Sequence, residues 1–259
     1  MRRAVAALLL AFCVLPAAAQ EEDLEGFRAA VGAGIANRPK YPGSRDNVWR
    51  AFPFASLAYG RFFLGAEPGA GSGAGLGVNL YRSGGLRFGA VLSADLRSPR
   101  KESDDSSLTG MGDIERTVRA GVFASYSVSW LTLRASTASD IAGNDHGTFA
   151  RLDALGRYRA TDKLTLSAGP GLTWANSERA QTFFGVSAAQ SAASGLPEYH
   201  PGSGVESVRF SFSGRYAIDP RWTAGVFVSL GRLVGDSADS PITQSTVQNS
   251  TVVFGSYRF

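Results

Sequence analysis

Apolar and polar residues alternate with a period of two along most of this chain. Val208, Phe210, Phe212, Gly214 and Tyr216 are separated by Arg209, Ser211, Ser213 and Arg215. The set Trp222, Ala224, Val226, Val228, Leu230 repeats the pattern, as do Leu86, Phe88, Ala90, Leu92, Ala94, Leu96 and Ala120, Val122, Ala124, Tyr126, Val128. A third kind of segment runs Leu164, Leu166, Ala168 and on to Leu172 and Trp174. Side chains of a strand point to opposite faces in turn, so each segment predicts a strand with one greasy and one polar face. Beyond the first residues, no apolar run is long enough for a membrane-crossing helix.

The predicted strands are 26–36, 48–59, 61–66, 73–81, 85–97, 115–129, 131–139, 147–160, 163–175, 204–218, 221–234 and 247–259. Their connections alternate in length. Short ones fall near Gly60, Ser83-Gly84, Trp130, Thr161-Asp162 and Asp219-Pro220; long ones are 37–47, 67–72, 98–114, 140–146, 176–203 and 235–246. A soluble sandwich also alternates in polarity, but it has no reason to sort its loops by length. An even strand number with short turns at one end and long loops at the other is the pattern of a bacterial outer-membrane barrel. The fold expected is therefore all-β: a transmembrane, antiparallel, up-and-down β-barrel of about twelve strands, with ten as the other count because 61–66 is short. Lipid requires the closure, since no water is there to satisfy an open sheet edge. Trp49, Tyr59, Tyr81, Trp130, Tyr158, Trp174, Tyr216, Trp222 and Tyr257, near strand ends, would form aromatic girdles. Pro53 and Gly169-Pro170-Gly171 interrupt their segments and predict bulges or kinks.

The two ends of the chain fit that picture. Met1-Arg2-Arg3, the apolar run Ala4–Leu15, Pro16 and Ala17-Ala18-Ala19 have the order of a secretory signal peptide. The expected division is a leader at 1–19 and a barrel domain at 20–259. Cys13, the single cysteine, would leave with the leader; Phe12 before it does not fit a lipidation site. At the other end Val253, Tyr257 and Phe259 share a face, and a terminal Phe with an aromatic two residues earlier is similar to the mark by which barrels are recognised for assembly.

Composition excludes several functions. Of 26 Lys and Arg, Arg2 and Arg3 lie in the leader, leaving 24 against 22 Asp and Glu. That balance, without basic runs, carries no signature of nucleic-acid binding. Only Lys40, Lys101 and Lys163 are lysines. No catalytic, cofactor-binding or metal-binding set stands out. His146 lies near Asp140 and Asp145, but the spacing matches no ligand signature; His200 is in another long loop. Gly69 to Gly77 joins two strands with no lysine after it, so it is no phosphate loop. Turn chemistry accounts for Gly235-Asp236-Ser237-Ala238-Asp239-Ser240-Pro241 without a nucleophile. The most suggestive side chains are predicted lumen-facing: Arg87, Arg119, Arg134, Arg157, Arg209, Arg215 and Arg232, with the acids Asp95 and Asp153. They allow two readings. They form a narrow, mildly anion-attracting lumen, or they brace the wall through arginine–acid and arginine–hydroxyl networks that plug a small barrel.

Four loop elements carry a family resemblance. They are Arg38-Pro39-Lys40-Tyr41-Pro42-Gly43-Ser44; Asp140-Ile141-Ala142-Gly143-Asn144-Asp145-His146-Gly147; Phe183-Phe184-Gly185-Val186 followed by Ser194-Gly195-Leu196-Pro197-Glu198-Tyr199; and Gly235 through Ile242. In order and spacing, with the closing Tyr-Arg-Phe, the chain resembles the MipA/OmpV family of outer-membrane proteins, the MltA-interacting protein family. Phe183 stands where the family usually has Tyr, and Ser237 where it has Ala. The resemblance implies an outer-membrane barrel of a Gram-negative bacterium with no known enzymatic activity, embedded among lipid and lipopolysaccharide. It further implies a scaffold linking a periplasmic murein lytic transglycosylase to a murein synthase. Such partners would be met through the short turns and the acidic Glu21-Glu22-Asp23-Leu24-Glu25. The other reading is a porin-like channel for small solutes. The four elements lie mostly on the long-loop side, which suits a role in fixing the loops.

Overall fold

The computed structural model describes residues 26–65 and 74–259. The segment expected as a leader at 1–19, the acidic segment at 21–25 and the connection expected at 67–72 lie outside the described residues. Twelve strands form one closed barrel in chain order. They are β1 (Arg28–Pro39), β2 (Asn47–Tyr59), β3 (Phe62–Gly65), β4 (Ala74–Ser83), β5 (Leu86–Ala94), β6 (Val118–Val128), β7 (Leu131–Asp140), β8 (Thr148–Arg159), β9 (Leu164–Ala175), β10 (Gly204–Ala217), β11 (Trp222–Leu233) and β12 (Ser250–Arg258). Each pairs antiparallel with its neighbours in sequence, and β12 closes on β1 from Ala30↔Arg258 to Asn37↔Thr251. The short segment is a real strand: Phe62–Gly65 pairs with both β2 and β4, which decides the count for twelve over ten. The strand order closes on itself, as a lipid-facing sheet requires, and among the described residues β2 pairs with β3 only over Leu57–Tyr59. No helix among the described residues is long and apolar enough to cross a membrane.

The alternation sorts as its polarity dictates. Val31, Ile35, Leu92, Val122, Leu133, Leu152, Phe210, Phe212, Val226, Leu230 and Val253 are exposed on the outer surface. Inward neighbours such as Ser93, Arg119, Ser136, Thr173, Ser211 and Ser229 are buried. The girdle residues Trp49, Tyr59, Tyr81, Trp130, Tyr158, Trp174, Tyr216 and Trp222 are all exposed, and Tyr257 packs edge-on against Trp222 at 5.2 Å.

The prolines act differently from expectation. Pro53 sits in unbroken register opposite Ala33. Pro170 holds its register with Phe210 of β10, but the ladder from β9 to β8 is interrupted between Asp153↔Gly171 and Gly156↔Ala168. Proline has no N–H to donate there, so a local loss of pairing replaces a bulge. The register shifts fall instead between Asn79 and Tyr81 and between Val205 and Ser207.

The lumen is partly filled by aromatic rings, a feature the alternation alone does not announce. Phe63, Val91 and Phe123 form a buried cluster inside the barrel. Facing glycines make room: a Cβ at Gly77 would overlap the Phe63 ring, and one at Gly32 the Phe54 ring. The Arg87 guanidinium lies over Phe63 and Phe123 at 5.6 and 5.1 Å.

Candidate functional site

The described long loops do not splay from the barrel; they pack together over its mouth. The 28-residue connection after β9 forms two helices, α1 (Ser177–Phe184) and α2 (Ala188–Ser194), and the connection after β11 forms a short α3 (Asp236–Asp239). Local sequence sets their ends. The Asn176 side chain accepts from the Arg179 N–H at 3.0 Å to cap α1. Ser187 and Gln190 make a reciprocal capping box on α2, and Gly195 ends it in the left-handed region at φ 77°. Two apolar clusters then join the loops. Ile114, Phe183, Phe184 and Leu233 form one; Met111, Val186 and Ile242 form the other, with Leu196 and Tyr199 against it. Phe184 and Val186 are fully buried at 0% exposure. The result is a cap with its own core over the long-loop end.

The four motifs are the joints of this cap. Asp140 accepts hydrogen bonds from the backbone N–H groups of Ala142, Asn144 and His146 at 2.9, 2.8 and 3.1 Å. It folds the turn on itself and turns His146 inward. A Cβ at Gly147, at φ 56°, would overlap the Asn176 side chain and the Arg179 N–H of α1, so only glycine allows this approach. In the first element Tyr41 and Ser44 are buried, and the Gly43 carbonyl accepts from Gln244 N and Ser245 N at 2.8 and 3.0 Å. Val186 and Tyr199 exchange two backbone bonds of 2.9 Å. In the last element Asp236 accepts from Gly202 N at 2.7 Å, and the Ser240 hydroxyl donates to the Phe184 carbonyl at 2.5 Å.

Beneath the cap, charged side chains divide into two groups. In the first, Arg119 of β6 forks onto Asp95 at 2.6 and 2.9 Å, both side chains only 7% exposed. The same guanidinium lies 2.8 Å from His146 Nδ1, and Asp95 is 3.8 Å from that nitrogen. Arginine has only donors, so Nδ1 accepts and the ring is neutral with its proton on Nε2. Burial and the neighbouring Arg119 charge hold the His146 pKa below its ordinary value, against the pull of Asp95 and Asp140. The ring meets Phe183 of α1 edge-on at 5.4 Å. With its ring fully buried, and with Asp140 bonded to its backbone rather than its ring, His146 ties loop to barrel; it is not placed as an acid–base pair facing solvent. His200 is exposed, 3.7 Å from Glu198. No group of three or more His, Cys, Asp or Glu able to hold a metal occurs among the described residues.

The second group spans β7 to β10. Register sets Arg134 beside Asp153, Asp153 beside Gly171, and Gly171 beside Arg209. Gly171 has no side chain, so Arg209 reaches across it to Asp153 at 2.5 Å, with a second bond to Thr173 at 3.0 Å. Above this row, Arg179 of α1 pairs with Glu206 at 2.8 Å and stacks on Phe183 and Phe149 at 4.3 and 5.0 Å. Neither Arg179 nor Glu206 was legible as a lumen residue in the sequence. Arg179 is carried inward by a helix in what reads as a loop, and Glu206 by the register shift in β10.

Arg87, Asp95, Arg119, Arg134, Asp153, Arg157, Arg209 and Arg215 lie on the inward side of the wall. Arg87 donates to the Asn79 side chain. Arg157 and Arg215 face inward near the short-turn end, exposed and without an ion-pair partner among the described residues. Arg232 is a correction. It pairs in register with the exposed Val208 and is itself exposed, so it stands on the outer face at the long-loop rim. The reason is parity: Trp222, Ala224, Val226, Val228 and Leu230 point outward, and Arg232 continues the same even positions.

Comparison with known proteins agrees with this geometry. The sequence matches the family described as MltA-interacting protein MipA over residues 31–259. The chain belongs to the MipA family. Two relatives in Escherichia coli (strain K12) illustrate its spread. The MltA-interacting protein is 27% identical over 146 residues, 56% of this chain and 58% of its own length. The alignment thus spans little more than half of that relative. YiaT, provisionally named an outer membrane protein, is 24% identical over 233 residues, 89% of this chain and 90% of its own. Among solved structures, the NanC porin aligns over 90% of this chain and 99% of its own at a TM-score of 0.42 and 10% identity. MipA membership and the closed sheet with its apolar belt place the chain in the outer membrane of a Gram-negative bacterium.

Proposed function

We propose that this MipA-family barrel is a closed scaffold of the outer membrane that engages cell-wall enzymes on its periplasmic side, rather than a solute channel. The observation that carries this reading is the cap: three long loops share a buried core over the barrel mouth, centred on Phe183, Phe184 and Val186. Below it, phenylalanine rings and paired arginines occupy the lumen. A passage would need these contacts to part. In bacterial barrels the short-turn end faces the periplasm, which leaves the turns near Gly60, Gly84, Trp130, Asp162 and Asp219 as the surface for a partner there. A partner of the murein lytic transglycosylase class is supported by the name of the relative, an MltA-interacting protein.

The test has two arms. Tagged, refolded protein is mixed with the purified murein lytic transglycosylase of the same organism, and the wild type is also placed in planar bilayers. Co-elution with no single-channel steps is the expected result. Large, anion-selective steps without co-elution would overturn the reading in favour of a porin.

A further inference from the structure

The charge balance under the cap does not close. Glu206 is taken by Arg179, and Asp153 by Arg209, with Arg134 beside it in register. Arg151 of β8 adds a further cation to the same wall. Among the described residues its guanidinium has no hydrogen-bond or ion-pair partner; its one contact of note is the Phe149 ring at 4.8 Å. Arg179 and Arg209 add to the positive field at Arg151, while Glu206 and Asp153 offset it. Arg151 is enclosed by the barrel wall yet half-buried, so a space of at least water size adjoins it inside the lumen. Its register partners are Ser136 and Thr173, both buried and both offering hydroxyls to the same face.

An unpaired guanidinium in so enclosed a place is costly unless something satisfies its donors. Its planar fork of N–H groups matches two oxygens of one oxyanion better than it matches a spherical ion. The aromatic face of Phe149 fixes the plane of the fork and leaves its edge free.

We propose that the lumen beneath the cap holds a small oxyanion of the size of phosphate or a carboxylate. Arg151 is its principal ligand, with Thr173 and Ser136 as hydroxyl donors and Arg179 and Arg209 supplying the surrounding positive field. The site is occluded by the cap and is not a station in an open pore. It does not depend on what the periplasmic face binds.

A ligand that binds only the folded protein raises its stability in a saturable way. The apparent melting temperature of the refolded full-length barrel in zwitterionic detergent is measured while inorganic phosphate replaces sodium chloride at constant ionic strength. A saturable rise is expected in the wild type. Arg151→Met should weaken the apparent affinity at least about tenfold, Arg151→Lys should fall between, and Arg232→Gln, on the outer face, should leave it unchanged. If Arg151→Met does not fold, the Arg151→Lys titration decides alone, since it keeps the charge and loses the fork. A flat response in the wild type, or equal affinities in wild type and the Arg151 variants, would overturn the site. Titration with acetate in place of phosphate distinguishes a carboxylate preference from a phosphate preference, and saturation by either supports the site.

Discussion

At the scale of single residues, the lumen arginines are not equivalent. Arg209 is paired with Asp153 across Gly171, whereas Arg215 has no ion-pair partner among the described residues and is exposed. Arg209→Ala removes the ion pair to the partly buried Asp153 and should lower the temperature of heat-modifiable unfolding; Arg215→Ala should leave it nearly unchanged. Equal losses would show that both brace the wall. His146 predicts a pH effect. Its folded pKa lies below the ordinary value, so the folded state binds fewer protons than the unfolded state. Stability from this group is therefore full above about pH 6.5, and it declines as pH falls below that value toward the depressed folded pKa. His146→Gln should remove this part of the slope. Unfolding midpoints of the two proteins compared from pH 7.5 to 5 check it, and parallel curves would refute the neutral, buried imidazole.

At the scale of elements, strand phase and cap packing make separate predictions. Phe210 faces outward and Ser213 faces the lumen, half-buried, on the same strand. An arginine in mid-membrane lipid costs roughly 2–4 kcal/mol. Phe210→Arg should therefore impair assembly far more than Ser213→Arg, as read by heat-modifiable gel mobility. Ser211, the nearer inward residue, is a poorer comparison because it is tightly buried and an added side chain has no room. In the cap, Phe184 has no exposed surface and joins α1 to Ile114 and Leu233. Phe184→Ala should cost about 3–5 kcal/mol of cap stability. Because the strands carry their own ladders, the loss should appear as faster proteolysis of the loops while the barrel core stays protected. Simultaneous loss of both would mean that cap and barrel form one cooperative unit.

At the scale of the whole molecule, cap and wall together set whether the lumen is a passage. Replacing residues 177–195 by a short Gly-Ser link removes both cap helices with the Arg179–Glu206 pair. That variant should show single-channel steps absent from the wild type, and its steps should favour anions, because Arg151 and Arg209 then face open water. If wild type and variant conduct alike, the cap does not close the barrel. If neither conducts, the rings of Phe54, Phe63 and Phe123 suffice as a plug.

The period-two pattern by itself determined the fold class, nearly every strand and the sorting of short turns from long loops. Lipid outside and polar groups inside impose that alternation on every strand, so it is written locally and repeatedly. The same parity contained the error at Arg232, which continues an outward series and was read as inward. What only the tertiary structure decided is what fills and covers the barrel. Phenylalanines such as Phe54 and Phe123 read as ordinary strand residues, and their inward role depends on glycines on neighbouring strands, such as Gly32 and Gly89, that leave space for them. The cap depends on contacts between loops more than a hundred residues apart, as when Gln244 donates to Asp105 at 2.9 Å. Arg179, Glu206 and the unpaired Arg151 acquire their meaning from register across strands and from a helix folded over the mouth. No local pattern records which charge will be left without a partner, because that is a property of the closed sheet and not of any strand in it.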